Sequence, residues 1–393
     1  PFATFTFMKI ITRTIWILSI VSLFADVASE MLYPVIPVYL KEIGFSILLI
    51  GILEGVAEFT VGLSKGYFGK LSDQKGVRLP FVQLGYFLSA ISKPMMGMMV
   101  YPAWIFLART TDRLGKGVRT AARDALLSGE ATRETKARVF GFHRSFDTAG
   151  AIMGPVAALA FLYFFPQQYR TLFFIAFIPG IISVALLFSL NEKPRIPQPA
   201  SGGHFFSFLS YRKTASPQYR RLVTGLLLFA LFNSSDVFLL LRTAEITGSE
   251  QDTIIAYIFY NLVFALASYP MGVLADKWGM RRIFIAGLIL FAATYTGFAF
   301  ANDSWMVFVL FLLYGLYAAA TQGIAKAWIT NLAHGKDTAT AVGFYTSCQS
   351  ICTLIASILA GLLWSNAGAA YTFAASAGMT LLVIIYFLSW KKQ

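Results

Sequence analysis

Carboxylates recur one helical turn apart in segments that are otherwise apolar. Asp26 and Glu30, and again Glu54 and Glu58, stand at i and i+4, so each pair shares one helix face. Asp236 is a lone acid in a comparable stretch. Desolvation and like charge favour the protonated form of paired carboxylates, which makes these five residues candidate proton carriers. A stripe of opposite sign lies between them. Arg109, Arg113, Lys116 and Arg123 recur at spacings of four, three and seven, with Arg119 alongside. Two chemistries fit Arg113 and Lys116: they bind an anionic group, with Arg109 beside them, or they are the counter-ions of Asp26 and Glu30. Arg119 and Arg123 are read as gate residues. His143 and Asp147, one turn apart and flanking Arg144, fit either a proton relay or a hydrogen-bonded gate cluster. In the second half, Arg242 fits binding or gating, and Lys326 closes a helix. Tyr314, Tyr317, Gln322 and Tyr345 offer hydrogen-bonding and stacking surface, or plain packing.

The elements that carry these residues must cross a membrane. A chain of 393 residues that is 57% hydrophobic, 16% aromatic and only 13% charged lies far from soluble composition. Apolar windows long enough to span hydrocarbon fall at 14–40, 46–67, 80–101, 103–126, 138–163 and 168–190. Six more fall at 222–244, 253–275, 282–301, 304–330, 338–363 and 367–390. The expected architecture is all-α and polytopic: a bundle over 8–190, a cytoplasmic linker over 191–221 and a second bundle over 222–390. With both termini inside, 21 of the 32 Lys and Arg fall in cytoplasmic segments and two outside. That asymmetry absorbs most of the +13 net charge and leaves little for a nucleic-acid reading. Nine basic and eight acidic residues remain within the spans. Each costs about 2.5 to 3.5 kcal/mol near a helix centre, so they imply a polar interior.

The chain also repeats itself. Gly69-Lys-Leu-Ser-Asp73-Gln-Lys-Gly76-Val-Arg78 returns 203 residues later as Gly272-Val-Leu-Ala-Asp276-Lys-Trp-Gly279-Met-Arg281. Val139-Phe-Gly141-Phe142-His143 pairs with Ala341-Val-Gly343-Phe344-Tyr345 at an offset of 202. A parallel six-helix repeat explains both.

These motifs resemble those of the major facilitator superfamily (MFS), over essentially the whole chain, and in particular its bacterial proton-coupled drug and metabolite antiporters. The loops at Asp73 and Asp276 match the family's G-x-x-x-D-x-x-G signature, with Val77 and Met280 where a basic residue is usual. Arg109 to Gly117 is similar to R-x-x-Q-G-x-G-x-G, with Asp112 and Arg113 replacing Gln and Gly. Gly150, Gly154 and Pro155 resemble the antiporter motif, with Ala158 and Leu159 at its last two glycines. The resemblance implies twelve transmembrane helices in two pseudo-symmetric six-helix bundles, with helices 1, 4, 7 and 10 lining a central cavity. It also implies that Asp73 caps a neighbouring helix and latches the outward-open state. Gly69, Gly76, Arg78 and Asp276 belong to the same gate.

The functional expectation is a secondary transporter in a bacterial cytoplasmic (inner) membrane that exports a small amphiphilic or anionic compound against protons. Import of an anionic nutrient or metal chelate by proton symport, and lipid flipping, are the alternatives. An enzyme is not expected. No H-E-x-x-H, G-x-S-x-G or Cys/His cluster is present, and Gly115-Lys116-Gly117 lacks the flanks of a phosphate-binding loop. Cys348 and Cys352, four apart in one span, read as packing residues. No cofactor, no metal site and no cleavable signal peptide are expected, and the working unit is a monomer within the lipid bilayer, carrying a small-molecule substrate and protons.

Overall fold

A chain in hydrocarbon must satisfy its backbone hydrogen bonds internally, so its apolar runs fold as helices. The computed structural model describes residues 11–33, 35–45, 47–192, 205–248 and 250–390, and all regular elements among them are helical. The chain runs through α1 (Arg13–Glu30), α2 (Val35–Glu42), α3 (Ile47–Lys75), α4 (Leu79–Met98), α5 (Pro102–Gly129), α6 (Lys136–Phe164) and α7 (Tyr169–Leu187). It continues through a 3-10 turn (Phe205–Ser210), α8 (Tyr211–Thr214), α9 (Pro217–Ala230), α10 (Val237–Thr247), α11 (Glu250–Trp278) and α12 (Met280–Phe300). The last three are α13 (Ser304–Leu332), α14 (Thr338–Ala367) and α15 (Ala369–Leu388).

Two of the expected spans are broken. The first is α1 plus α2, interrupted by turns at Met31 to Tyr33, and the seventh is α9 plus α10. Pro34 has no N–H to continue the first helix and disfavours helical backbone at Tyr33. Before α10 the sequence Asn233-Ser-Ser-Asp236 supplies short polar side chains that compete for backbone groups. Setting the four-residue α8 aside and counting each broken pair once gives twelve helical passes among the described residues. Seven helices are long and apolar enough to cross a membrane on hydropathy alone, α6, α7 and α11 to α15. The polar side chains of α3, α4 and α5 lower the hydropathy of the others. The seventh pass also starts ahead of its apolar window, because Ser216 accepts from the Tyr219 amide and Pro217 suits a first turn.

Packing divides the chain into two compact units. The first runs to Thr132 and adds Phe146–Thr214 and Ala333–Ser347; the second comprises Arg133–Ser145, Ala215–Leu332 and Cys348 onward. The opening turns of α6 therefore pack within the second unit, and those of α14 within the first. In the first unit α5 packs on α3 and α4, and α7 packs on α1 and α4. In the second, α13 packs on α11 and α12, and α15 on α9 and α12. The repeated partner order is what a duplicated six-pass half requires. Part of the expected linker is itself structured: Phe208 of the 3-10 turn is buried against Gly66 of α3.

Helix α6 lies hard against α1. A Cβ on Gly150 would stand 2.5 Å from the Leu23 carbonyl oxygen, and one on Gly154 would stand 2.6 Å from the Met31 nitrogen. Small residues four apart permit this approach. Gly154→Val should therefore cost about 1 to 3 kcal/mol through overpacking, read as a lower melting temperature in detergent. Gly378→Ala, with open space around its Cβ, is expected to leave that temperature unchanged.

Candidate functional site

The basic stripe of α5 can reach a common space because its small residues, not its long ones, meet the neighbouring helices. A Cβ on Gly115 would fall 2.5 Å from the Gly85 carbonyl of α4, and one on Gly117 would fall 2.4 Å from Ser64 Cβ of α3. The bases then line a cavity within the first unit. Arg109, Asp112, Arg113, Lys116 and Arg119 come from α5, Asp26 and Glu30 from α1, and Lys93 from α4. The cavity sits beside the break between α1 and α2, where Tyr33 and Ile36 complete its wall.

Its charges fall into distinct sets. Lys93 donates to Asp112 at 2.6 Å, and Arg109 lies 3.6 Å from the other Asp112 oxygen. Arg109, expected to bind solute, thus shares Asp112 with Lys93. Glu30 has Lys116 as its strongest basic neighbour, followed by Arg113 and Lys93. Lys116 is also the basic neighbour of Asp26. Lys116 and Arg113 thus line the cavity and both act electrostatically on Glu30.

Asp147, on the α6 face that carries Gly150 and Gly154, lies beside Asp26. Arg123 lies behind the pair, 3.9 Å from Asp147 and 3.1 Å from Asp124, and donates to Ser22 at 3.0 Å. Arg119 donates to Ser89 at 2.8 Å and stacks 4.1 Å from the centre of the Tyr86 ring. Tyr86 also meets Ser22 at 3.0 Å, so one tyrosine sits between two arginines. Ser22, Tyr86 and Ser89 escaped the reading of the sequence. Their signal is helical spacing: Ser22 precedes Asp26, and Ser89 precedes Lys93, by one turn. The side chains of Glu54 and Glu58 lie outside the described residues.

The second unit gathers its acid among aromatic rings. Tyr314 donates to Asp236 at 2.6 Å, and Asn233 donates to Tyr317 at 3.1 Å. Tyr260 and Tyr317 pack against Tyr314 at 5.0 and 5.2 Å between ring centres. Arg144 lies 4.9 Å over the Phe264 ring and acts electrostatically on Asp236. Arg242 is engaged elsewhere, donating to the Phe298 and Ala301 carbonyls at the end of α12 and pairing with Glu245. Gln322 is exposed on α13 and Lys326 half-buried. Tyr345 is buried but belongs to the first unit, so it does not share a unit with Tyr314. His143 belongs to the second unit and Asp147 to the first.

The two elbows cap helices. Asp73 accepts from the Thr340 amide at 2.7 Å and its hydroxyl at 3.0 Å, in the first turn of α14. Asp276 accepts from the Ala137 and Arg138 amides at 3.1 Å, in the first turn of α6. Gly69 and Gly272 allow the approach: a Cβ on either would lie within 2.6 Å of the Ala339 or Ala137 carbonyl oxygen. Gly76 and Gly279, with φ of +68° and +95°, turn the chain into the next helix. The cations differ. Asp73 pairs with Arg78 of its own elbow at 2.8 Å, and Arg78 also donates to Ala125 and Gly335 carbonyls. Asp276 pairs with Arg138 of the helix it caps, at 2.7 Å. Arg281, the counterpart of Arg78, instead donates to the Leu388 and Trp390 carbonyls at the end of α15. Glu192, also unforeseen, caps α4 by accepting from the Arg78 and Leu79 amides at 2.7 Å.

The sequence model described as Major Facilitator Superfamily matches residues 18–248 and 237–393. The chain belongs to the major facilitator superfamily. It is 31% identical to an uncharacterized MFS-type transporter of Methanocaldococcus jannaschii, over 90% of this chain and 89% of that relative. It is 22% identical to quinolone resistance protein NorA of Staphylococcus aureus, over 85% of each chain. The solved human organic anion transporter MFSD10 shares the fold, with a TM-score of 0.79 at 16% identity, covering 95% of this chain and 99% of that one. As an MFS member the protein is a multi-pass membrane transporter, not an enzyme, and its substrate is a small molecule.

In this transporter Asp112 holds two cations in an apolar interior. Asp112→Asn should cost about 3 to 5 kcal/mol, because Lys93 and Arg109 lose their shared anion. Lys93→Met in the Asp112→Asn background is expected to recover part of that loss, read by a double-mutant cycle of thermal stability.

Proposed function

We propose that the protein is a secondary active transporter that moves a small organic anion by alternating access, with protons as the coupling ion. The observation that carries this reading is the basic face of α5 in the cavity, where Lys116 and Arg113 stand near Glu30. Two cationic side chains on one helical turn offer a carboxylate or phosphate complementary charge and hydrogen-bond donors. The Asp26 and Asp147 pair and Glu30 supply exchangeable protons next to that solute site. Broken helices beside a buried site are a recurring feature of transporters, and they support the same reading.

In this reading the two elbows are latches on the cytoplasmic face. Asp73 on α14 and Asp276 on α6 must release their helices for that face to open. Arg78, Arg119 and Arg123 belong to the same gate, with Gly69 and Gly76 setting its close approach. His143, Arg144 and Lys326 are assigned to it as well. Asp236, held by Tyr314, is a further proton-exchanging group. The Lys and Arg distribution supports cytoplasmic termini, in a bacterial inner membrane. A single chain suffices as the working unit.

A second reading, export of amphiphilic drugs against protons, is favoured by the similarity to NorA and by the tyrosines around Asp236. Counterflow into proteoliposomes separates the two. Benzoate and succinate should exchange across the membrane, and Arg113→Gln or Lys116→Gln should slow that exchange by about tenfold or more. Exchange of tetraphenylphosphonium with no exchange of either anion would overturn the anion reading in favour of the second.

A further inference from the structure

We propose that residues 205–214 form a strap that rests on an anionic phospholipid surface and clamps the first turn of α14 onto α3. The segment is the Phe205–Ser210 turn followed directly by α8, and it folds within the first unit. Its inner side is anchored. Phe208 is 2% exposed, and its ring lies 2.5 Å from where a Gly66 Cβ would stand, so a larger residue at 66 would collide with it. Tyr211 is buried as well. Burial, with the Asp337 and Asp73 carboxylates nearby, pushes its phenol up. Asp337 leads directly into α14, so the two anchors sit on the seam where that helix meets α3. The seam is tight: a Cβ on Gly343 would lie 2.6 Å from the Lys65 carbonyl oxygen and 3.1 Å from Gly66 Cα.

The outer side of the strap has the chemistry of a membrane surface. Phe206 is 56% exposed and Leu209 46%, and Arg212 and Lys213 are exposed just beyond them. Apolar side chains beside bases suit the boundary between acyl chains and phosphate headgroups. The level in the membrane agrees. Phe208 meets α3 at Gly66, at the end of the apolar window over 46–67, with Lys65 and Lys70 on either side. Charge selects the partner. Between Glu192 and Asp236 the chain carries six Lys and Arg and no acid, so an anionic leaflet attracts the whole segment. A strap held by lipid keeps Phe208 and Tyr211 in place, and the seam beneath them then resists parting. The Thr340 amide, which donates to Asp73 in the first turn of α14, reports that resistance.

Hydrogen exchange on the full-length transporter tests this, in nanodiscs of phosphatidylcholine alone or mixed equally with phosphatidylglycerol, at low salt and without solute. Amides of residues 206–214 should exchange at least about fivefold more slowly in the anionic discs, since each base near such a surface contributes about that factor. Amides at 338–340 should slow with them, because exchange there requires the Thr340 bond to Asp73 to open. High salt should remove both effects. Arg212→Gln combined with Lys213→Gln, at exposed positions, should remove both as well. Phe208→Ala should keep the lipid response of the strap and lose that of α14. Equal exchange of 206–214 in the two lipids overturns the proposal, and so does a difference that survives Arg212→Gln with Lys213→Gln. A strap response without one at α14, or an α14 response that survives Phe208→Ala, overturns it too. Both leaflets carry the same lipid and no solute is present, so the outcome depends neither on which membrane face the elbow occupies nor on the transported compound.

Discussion

An unpaired charge in an apolar interior is so costly that the basic face of α5 constrains every helix packed around it. Lys93 on α4 and Arg109 on α5 require Asp112, and Arg123 requires Asp124 and Asp147. Close packing follows from the same demand. Ion pairs this deep need short distances, and the glycines at 85, 115, 117, 150 and 154 let helices approach until backbone nearly meets backbone. The cavity is what remains when the charged side chains face inward and the glycines face the neighbours.

The elbows solve a different problem with one device used twice. A helix N-terminus presents unsatisfied amides, and a carboxylate there gains both hydrogen bonds and the favourable end of the helix dipole. Asp73 and Asp276 each take that place, on α14 and α6. Their cations have diverged. Arg78 is buried beneath its own elbow, whereas Arg281 has moved to the end of α15 and Arg138 has taken over its pairing. A duplicated backbone geometry thus tolerates unequal side-chain wiring.

The two units are also unequal in their interiors. The first buries five bases, Arg78, Lys93, Arg109, Arg119 and Arg123, near acids, while the second surrounds Asp236 with tyrosines and phenylalanines. Rings give hydrogen bonds and van der Waals surface without the desolvation cost of ions. A transporter built this way can place charge recognition in one half and adaptable packing surface in the other.

Most of the architecture was legible in the sequence. Bilayer thickness fixes the length of a spanning run, and the 203-residue echo of the elbow fixes the repeat. The stripe at 109, 113 and 116 follows from helical periodicity alone. Tertiary structure decided the rest. That Asp112 claims Arg109, that Asp26 meets Asp147, and that Arg242 staples the end of α12 depend on distances between helices, which spacing along the chain does not encode. The breaks in the first and seventh passes were hidden inside apolar windows, since hydropathy reads side chains and not backbone hydrogen bonds. Sequence therefore determined which charges enter the membrane and on which helix. Only packing decided which charge each one faces, because an ion in an apolar medium is stabilised by its nearest partner in space.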